Sequence, residues 1–323
     1  MNKVLITGAC GYLGANLSKY LADARYDVTA FDNFDPISYS YWNSLMEKVI
    51  IGDIRDDALI ADLAKQQFDV VIHLISLDHN KSEDNPNYVN SINVMPTWNI
   101  LDKFSESGLE KFIYFSTFHV YGKVQSVVVN EDYKPSPQNN YGLTHLLSEQ
   151  ICNYYNKTTD INCINVRLSN SYGSPIFKEN NCWWLVINDL CLNAYKKNKI
   201  KLSSDGTPLR DFIHFSDVCS AVEILLDSDK KNISNNTYHI SYGKTLTILE
   251  LAHKVKSVFE MRYKKEIKVL LPDNSISDNP NRYKNTKKYI MGNTKIQDLG
   301  FKPKINLTTG IQEIFDYLEQ PND

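Results

Sequence analysis

Along the first half of the chain, short apolar runs alternate with longer stretches in which apolar positions recur every three or four residues. The runs at 3–7, 27–31, 48–51, 69–74, 111–115 and 162–168 predict strands, and the periodic stretches beginning near Tyr12, Asp57, Pro86 and Tyr141 predict helices. Several runs are apolar at nearly every position, as strands are when both faces are covered. The alternation predicts parallel strands joined by crossover helices, hence an α/β fold with a doubly wound parallel sheet of Rossmann type.

Beyond residue 170 the pattern loosens. Helices are expected at 183–197, 216–227, 248–259 and 309–318, with short strands near 200–202, 212–214, 238–240 and 267–271. The segment 273–288 is rich in Asn, Pro and Lys and reads as a surface loop. The organisation expected is a Rossmann domain over 1–170, with later segments returning to the sheet, and a smaller, mainly substrate-binding lobe over 171–323. No internal repeat or low-complexity tract interrupts it.

Composition narrows the possible partners. A chain of 323 residues, 42% hydrophobic and 23% charged, buries a full core. Its net charge of -3 and scattered Lys and Arg provide no field for nucleic acid. No stretch approaches the roughly 20 apolar residues that span a bilayer, and no leader pattern precedes the first strand, so a cytoplasmic protein without membrane contact is expected. The six cysteines are dispersed, without the paired spacing of a zinc site, and reduced thiols and no metal are expected. Cys10, inside a glycine turn, reads as a small filler.

That turn is the first chemical signal. Residues 3–7 lead into Gly8-Ala9-Cys10-Gly11-Tyr12-Leu13-Gly14 and then a helix. The first glycine permits the tight turn, the second lets the backbone approach a pyrophosphate, and the third lets helix and strand pack closely. The helix N-terminus offers N–H groups and partial positive charge to the phosphates. Asp32, 18 residues after Gly14, ends the second strand, where a carboxylate accepts hydrogen bonds from ribose hydroxyls and repels a 2′-phosphate. The cofactor expected is therefore NAD rather than NADP. Asp53 is placed either to meet the adenine or to cap the following helix. Asn33, Ile54 and Leu74 complete the expected contacts along the strand ends.

Three further blocks carry a resemblance: Phe115-Ser116-Thr117-Phe118-His119-Val120-Tyr121-Gly122, Tyr141-Gly142-Leu143-Thr144-His145 and Arg167-Leu168-Ser169-Asn170-Ser171-Tyr172-Gly173. With Pro86-Asn87-Tyr88 and Asn93, the stretch from Gly206 to His214, and Leu299-Gly300-Phe301-Lys302-Pro303, the chain resembles the extended short-chain dehydrogenase/reductase family of sugar-nucleotide epimerases and dehydratases over nearly its whole length. The resemblance implies a nucleoside-diphosphate sugar as substrate. It makes Tyr141 the general base at a sugar hydroxyl, with Thr117 hydrogen-bonded to the same oxygen. It gives Arg210 and Asn170 to the substrate diphosphate or sugar, with Arg282 adding charge, and it implies a homodimer built on the helices after Pro86 and Tyr141.

The main departure is His145, where the family has a lysine that lowers the tyrosine pKa and holds the nicotinamide ribose. An imidazole one helical turn from Tyr141 can still reach a ribose hydroxyl, but it supplies less fixed positive charge. Either the acid-base chemistry is retuned or the site binds nucleotide without turnover. Phe118-His119 also replaces the Asp-Glu pair of the 4,6-dehydratases, which disfavours elimination. His119 is open to a proton-transfer role or to simple packing, and His73 reads as structural. The leading expectation is oxidation of a ring hydroxyl, at C4, to a keto-sugar. The altered lysine and missing carboxylates loosely resemble the GDP-heptose 4-dehydrogenases of capsule pathways. The alternatives are a 4-epimerase, which returns the same hydride to the rotated sugar, and a non-catalytic nucleotide-binding protein.

Overall fold

The computed structural model describes residues 2–229, 233, 237–277, 279 and 287–320. The first half runs β1 (Lys3–Thr7), α1 (Tyr12–Asp23), β2 (Asp27–Asp32), α2 (Ser40–Leu45), β3 (Lys48–Ile51), α3 (Asp57–Ala64), β4 (Val70–His73), α4 (Pro86–Asn93), α5 (Met95–Phe104), β5 (Lys111–Thr117), β6 (Val128–Val129), α6 (Asn140–Thr158) and β7 (Asn162–Leu168). The second runs β8 (Asn170–Tyr172), α7 (Val186–Lys197), β9 (Lys199–Lys201), β10 (Leu209–His214), α8 (Phe215–Asp227), β11 (Thr237–Ile240), β12 (Thr245–Thr247), α9 (Ile248–Tyr263), β13 (Lys268–Leu270), β14 (Ile290–Met291), α10 (Thr294–Asp298) and α11 (Leu307–Leu318).

The large sheet has seven strands in the order β11-β7-β5-β4-β1-β2-β3, and all its pairs are parallel. This is the doubly wound α/β arrangement expected from the sequence. The strand order reverses between β1 and β4, which opens a crevice at the carboxyl ends of those two strands. Val4, Ile6 and Ile72 pack toward α1 and α8, while Leu5, Val71 and Phe112 pack toward α3 and α5, so both faces are dry.

A second core lies beyond β7, where α7, α9 and α11 enclose Leu190, Phe212, Leu249, Val255, Phe259 and Phe315. Alongside it, β12, β10 and β8 form a three-stranded sheet. The chain between these elements does not stay in that core, because β11 joins the large sheet and α8 covers it.

The elements differ from the sequence pattern where local chemistry interrupts it. The stretch after Pro86 is two helices, broken at Val94 with Pro96 in the first turn of α5, because proline lacks the N–H that a continuous helix needs. The short α2 buries only Trp42 and carries too few turns to show a period. Of the polar segment 273–288, residues 278 and 280–286 lie outside the described residues. Among the described residues, no helix is long and apolar enough to cross a membrane.

One buried ion pair joins the elements around the crevice. Arg167 on β7 donates from Nε and Nη2 to the two carboxylate oxygens of Glu149 on α6, at 2.9 and 2.6 Å. Ser116 on β5 donates to the same carboxylate at 2.5 Å, and Arg167 Nη1 donates to the Tyr121 hydroxyl and the Glu131 carbonyl. Burial opposes the charge on Arg167, but the Glu149 carboxylate outweighs it and pushes the guanidinium pKa up. Glu149→Ala leaves that cation buried and unpaired, so it should cost about 3–5 kcal/mol in denaturant unfolding. A loss below about 1 kcal/mol would show that the pair is dispensable.

Candidate active site

The carboxyl ends of β1, β2, β4 and β5 bring the glycine turn, Asp32, Leu74 and Thr117 to one edge of the sheet. At the turn, Gly8 has φ +79°, and a Cβ on Gly14 would stand 1.9 Å from the Gly8 carbonyl oxygen. Only hydrogen fits there. Gly11 begins α1 without a side-chain cap, and no acidic residue occupies the first turn, so the N–H groups around Tyr12 and Leu13 remain for a ligand. Leu74 donates its N–H to Thr7 and closes the floor beside Gly8.

Asp32 accepts backbone N–H groups from Cys10 at 2.8 Å and from Phe34 at 3.1 Å, one on each oxygen. Burial raises its pKa, against these bonds. Each oxygen keeps a lone pair for a ribose hydroxyl, so the residues present fit NAD. Exposed Asn33 follows directly, and Ile54 is buried against Leu5 and Phe31. Asp53 is held by Arg55, whose Nε lies 2.9 and 3.1 Å from its two oxygens, and this bond lowers its pKa to about 2. The cap of α3 is Asp56, which accepts from Ala58 and Leu59.

Thr117 ends β5, and its hydroxyl lies close enough to Tyr141, at the start of α6, to lower the phenol pKa. Two local features make this meeting possible. Asn139 caps the helix by accepting from Gly142 N at 2.7 Å. A Cβ on Gly142 would stand 2.5 Å from the His119 carbonyl oxygen, so glycine lets the helix approach the turn after Thr117. Burial raises the Tyr141 pKa, the Thr117 hydroxyl lowers it, and the charge of Asp78 raises it further.

His145 lies one turn along the same face, its ring 4.5 Å from that of Tyr141. It is 3% exposed and held at both nitrogens, by the Tyr114 hydroxyl at 2.8 Å from Nδ1 and Ser76 Oγ at 3.2 Å from Nε2. Burial, then His119 and His73, depress its pKa to about 3, so it is neutral at physiological pH. The retuned charge anticipated at this position is therefore the absence of a charge. His73 is fully buried against Thr7, 2.6 Å from its hydroxyl.

Asn170 and Arg210 come together on paired strands, because β8 aligns Asn170 with Phe212 on β10. Asn170 donates to the Asp211 carbonyl at 2.9 Å, and Arg210 donates to Leu209. Arg210 makes no ion pair among the described residues, which leaves its guanidinium available. Arg282 lies outside the described residues.

Sequence reasoning missed Ser76, His79 and Tyr114. Ser76 and His79 carry no periodic or motif signal and reach His145 and Tyr141 from the loop after β4, while the apolar run that holds Tyr114 gives no sign of its bond to His145. It also missed the bonds of Tyr12, whose hydroxyl donates to the Gly173 carbonyl and accepts from Asn188 at 2.8 Å.

Comparison with known proteins places this geometry. The model of the NAD dependent epimerase/dehydratase family matches residues 4–241. The chain belongs to that family. Within it, the chain is similar to a putative UDP-glucose 4-epimerase of Methanocaldococcus jannaschii, 28% identical over 99% of both chains. It is also similar to a UDP-glucose 4-epimerase of Rhizobium leguminosarum bv. trifolii, 27% identical over 99% of this chain and 98% of that one. A solved structure of UDP-glucuronic acid 4-epimerase from Bacillus cereus, in complex with UDP-glucuronic acid and NAD, superposes with a TM-score of 0.81 at 26% identity. That match covers 98% of this chain and 99% of the other.

Gly14→Ala should weaken NAD binding by about tenfold or more in calorimetric titration, because the added methyl pushes the helix away from the turn. A phenol can accept a proton only when ionised, burial raises the Tyr141 pKa, and one turn along α6 stands His145 in place of a lysine. Activity should therefore climb with pH through the neutral range, and His145→Lys should move the rising limb down by about one unit. An unmoved limb in the pH-rate profile would show that residue 145 does not set the acidity of the phenol.

Proposed function

We propose that the chain is an NAD-dependent UDP-sugar 4-epimerase. The observation that carries this reading is the Thr117–Tyr141 hydroxyl pair beside the glycine cradle, in a chain similar over its full length to 4-epimerases of UDP-glucose and UDP-glucuronic acid. That similarity supports the epimerase over the net dehydrogenation and the GDP-heptose expected above.

The C4 hydroxyl of the sugar meets the Thr117 and Tyr141 hydroxyls together. Tyr141 takes its proton, and Thr117 holds the oxygen in place as it becomes a ketone. NAD, held by the glycine turn and Asp32, would supply reversible acceptance of the C4 hydride. Tyr141 then gives the proton back to the inverted oxygen, so no net oxidation occurs. Asp32 holds the adenosine ribose, while Asn170 and Arg210 hold the diphosphate of the sugar nucleotide. His145 keeps the wall beside Tyr141 filled and uncharged.

The division of labour falls between a cofactor-binding part over 1–170 and a substrate-binding part over 171–323. The working form is a homodimer: Tyr88, Met95 and Trp98 on α4 and α5, with Leu143, Leu147 and Tyr154 on α6, expose apolar side chains on three mutually packed helices, suited to a second copy. The six free, buried cysteines suit the cytoplasm.

Incubation of the pure protein with UDP-glucose or UDP-glucuronic acid should give the C4-inverted sugar without accumulating reduced nicotinamide. Steady accumulation would instead establish a dehydrogenase. Tyr141→Phe should lower turnover by about a hundred- to ten-thousandfold while NAD remains bound. Normal turnover in that variant would remove Tyr141 from the mechanism.

A further inference from the structure

Two further imidazoles lie against the Tyr141 ring, and the epimerase chemistry does not use them. His119 follows Thr117 by two residues and donates its backbone N–H to the threonine hydroxyl oxygen at 3.2 Å. Its ring stands edge-on to Tyr141, with centroids 5.5 Å apart. His79, from the loop after β4, lies parallel to the Tyr141 ring within 9° at 6.2 Å, and edge-on to His119 at 5.4 Å. His145 is buried beside Tyr141, whereas His79 is exposed.

Both imidazoles have hydrogen-bonding capacity left over. Asn139 donates to His119 Nδ1 at 3.4 Å, which leaves the proton on Nε2, and that N–H has no partner among the described residues. No described residue hydrogen-bonds His79. The charged groups are arranged unequally: burial and then the charge of Arg210 depress the His119 pKa, while Asp78 acts on Tyr141 and already accepts from Lys81 N at 2.9 Å. The His119 side is thus poor in acceptors and close to a cation.

A sugar oxidised at C4 must bring its C4 oxygen to Thr117 and Tyr141, and the substituent on the adjacent C5 then lies against the groups flanking that pair. We propose that this substituent carries two oxygens, as in a uronate carboxylate or the vicinal diol of a heptose, and that His119 and His79 receive one oxygen each. The proposal rests on C4 as the reacting position. A hydroxymethyl group has one oxygen and would leave one imidazole without a partner, which is how a polar site rejects the smaller analogue.

The test is calorimetric titration of the NAD-loaded protein with UDP-glucose, UDP-glucuronic acid and a UDP-heptose, with turnover measured on the same preparation. At least one of the latter two should bind about tenfold tighter than UDP-glucose. A uronate winner assigns the pair to a carboxylate, and a heptose winner to a diol. His119→Ala and His79→Ala should each reduce the preference by about fivefold, and His119→Gln, which keeps a donor, should restore part of it. Equal binding of all three sugars, or a preference unchanged in both alanine variants, overturns the inference. Tight, selective binding without C4 inversion would sustain this pocket and remove the epimerase reading. Epimerisation of UDP-glucose without any preference would do the reverse.

Discussion

The bidentate contact between Arg167 and Glu149 fixes the geometry on which the rest of the site depends. Tyr141, His145 and Glu149 are spaced four residues apart on α6, so they form one stripe along the helix. The inner end of that stripe is bonded to β7 through Arg167 and to β5 through Ser116. The outer end therefore arrives opposite Thr117 at a set height. A buried pair of this kind adds little net stability over an apolar replacement, but its direction-specific bonds select one register of helix against sheet. Tyr121 extends the network, since it accepts from Arg167 and meets His239 on β11 at 2.5 Å.

With the helix fixed, the electrostatics of the crevice follow from what stands beside Tyr141. His145 is buried among Tyr114, Ser76 and neighbouring histidines, and in that setting an imidazole stays neutral. The phenol consequently has the Thr117 hydroxyl and a neutral imidazole beside it, where a lysine would have provided a permanent cation. Arg210, on β10, is close enough to influence His119 and Tyr289.

The two cores are joined across the glycine turn itself. Tyr12, the first residue of α1, is bonded through its hydroxyl to Gly173 and Asn188, and Asn180 donates to the Cys10 carbonyl at 2.9 Å. Phe177 from the same segment is packed among Phe34, Tyr39 and Trp42. The chain that leads into the second core is therefore clasped to the glycine turn, which holds the two cores at a constant separation.

The sequence by itself determined the sheet and the cofactor cradle. Apolar runs buried on both faces, the glycines at 8, 11 and 14, and Asp32 at a strand end are local patterns, and local patterns survive as chain order. The motif blocks likewise marked Thr117, Tyr141, Asn170 and Arg210. The break at Val94, the role of Gly142 as the space that admits α6, and the contacts of Tyr12 were legible only as folded structure. The same holds for the state of His145, for His79, and for the place of the His119 ring beside Tyr141. Sequence spacing placed His145 beside Tyr141 but left its charge open, because a pKa depends on burial and on partners such as Tyr114 and Ser76 that lie 31 and 69 residues away. Charge and selectivity in this crevice are properties of groups brought together from distant segments, and only the tertiary structure decides which groups those are.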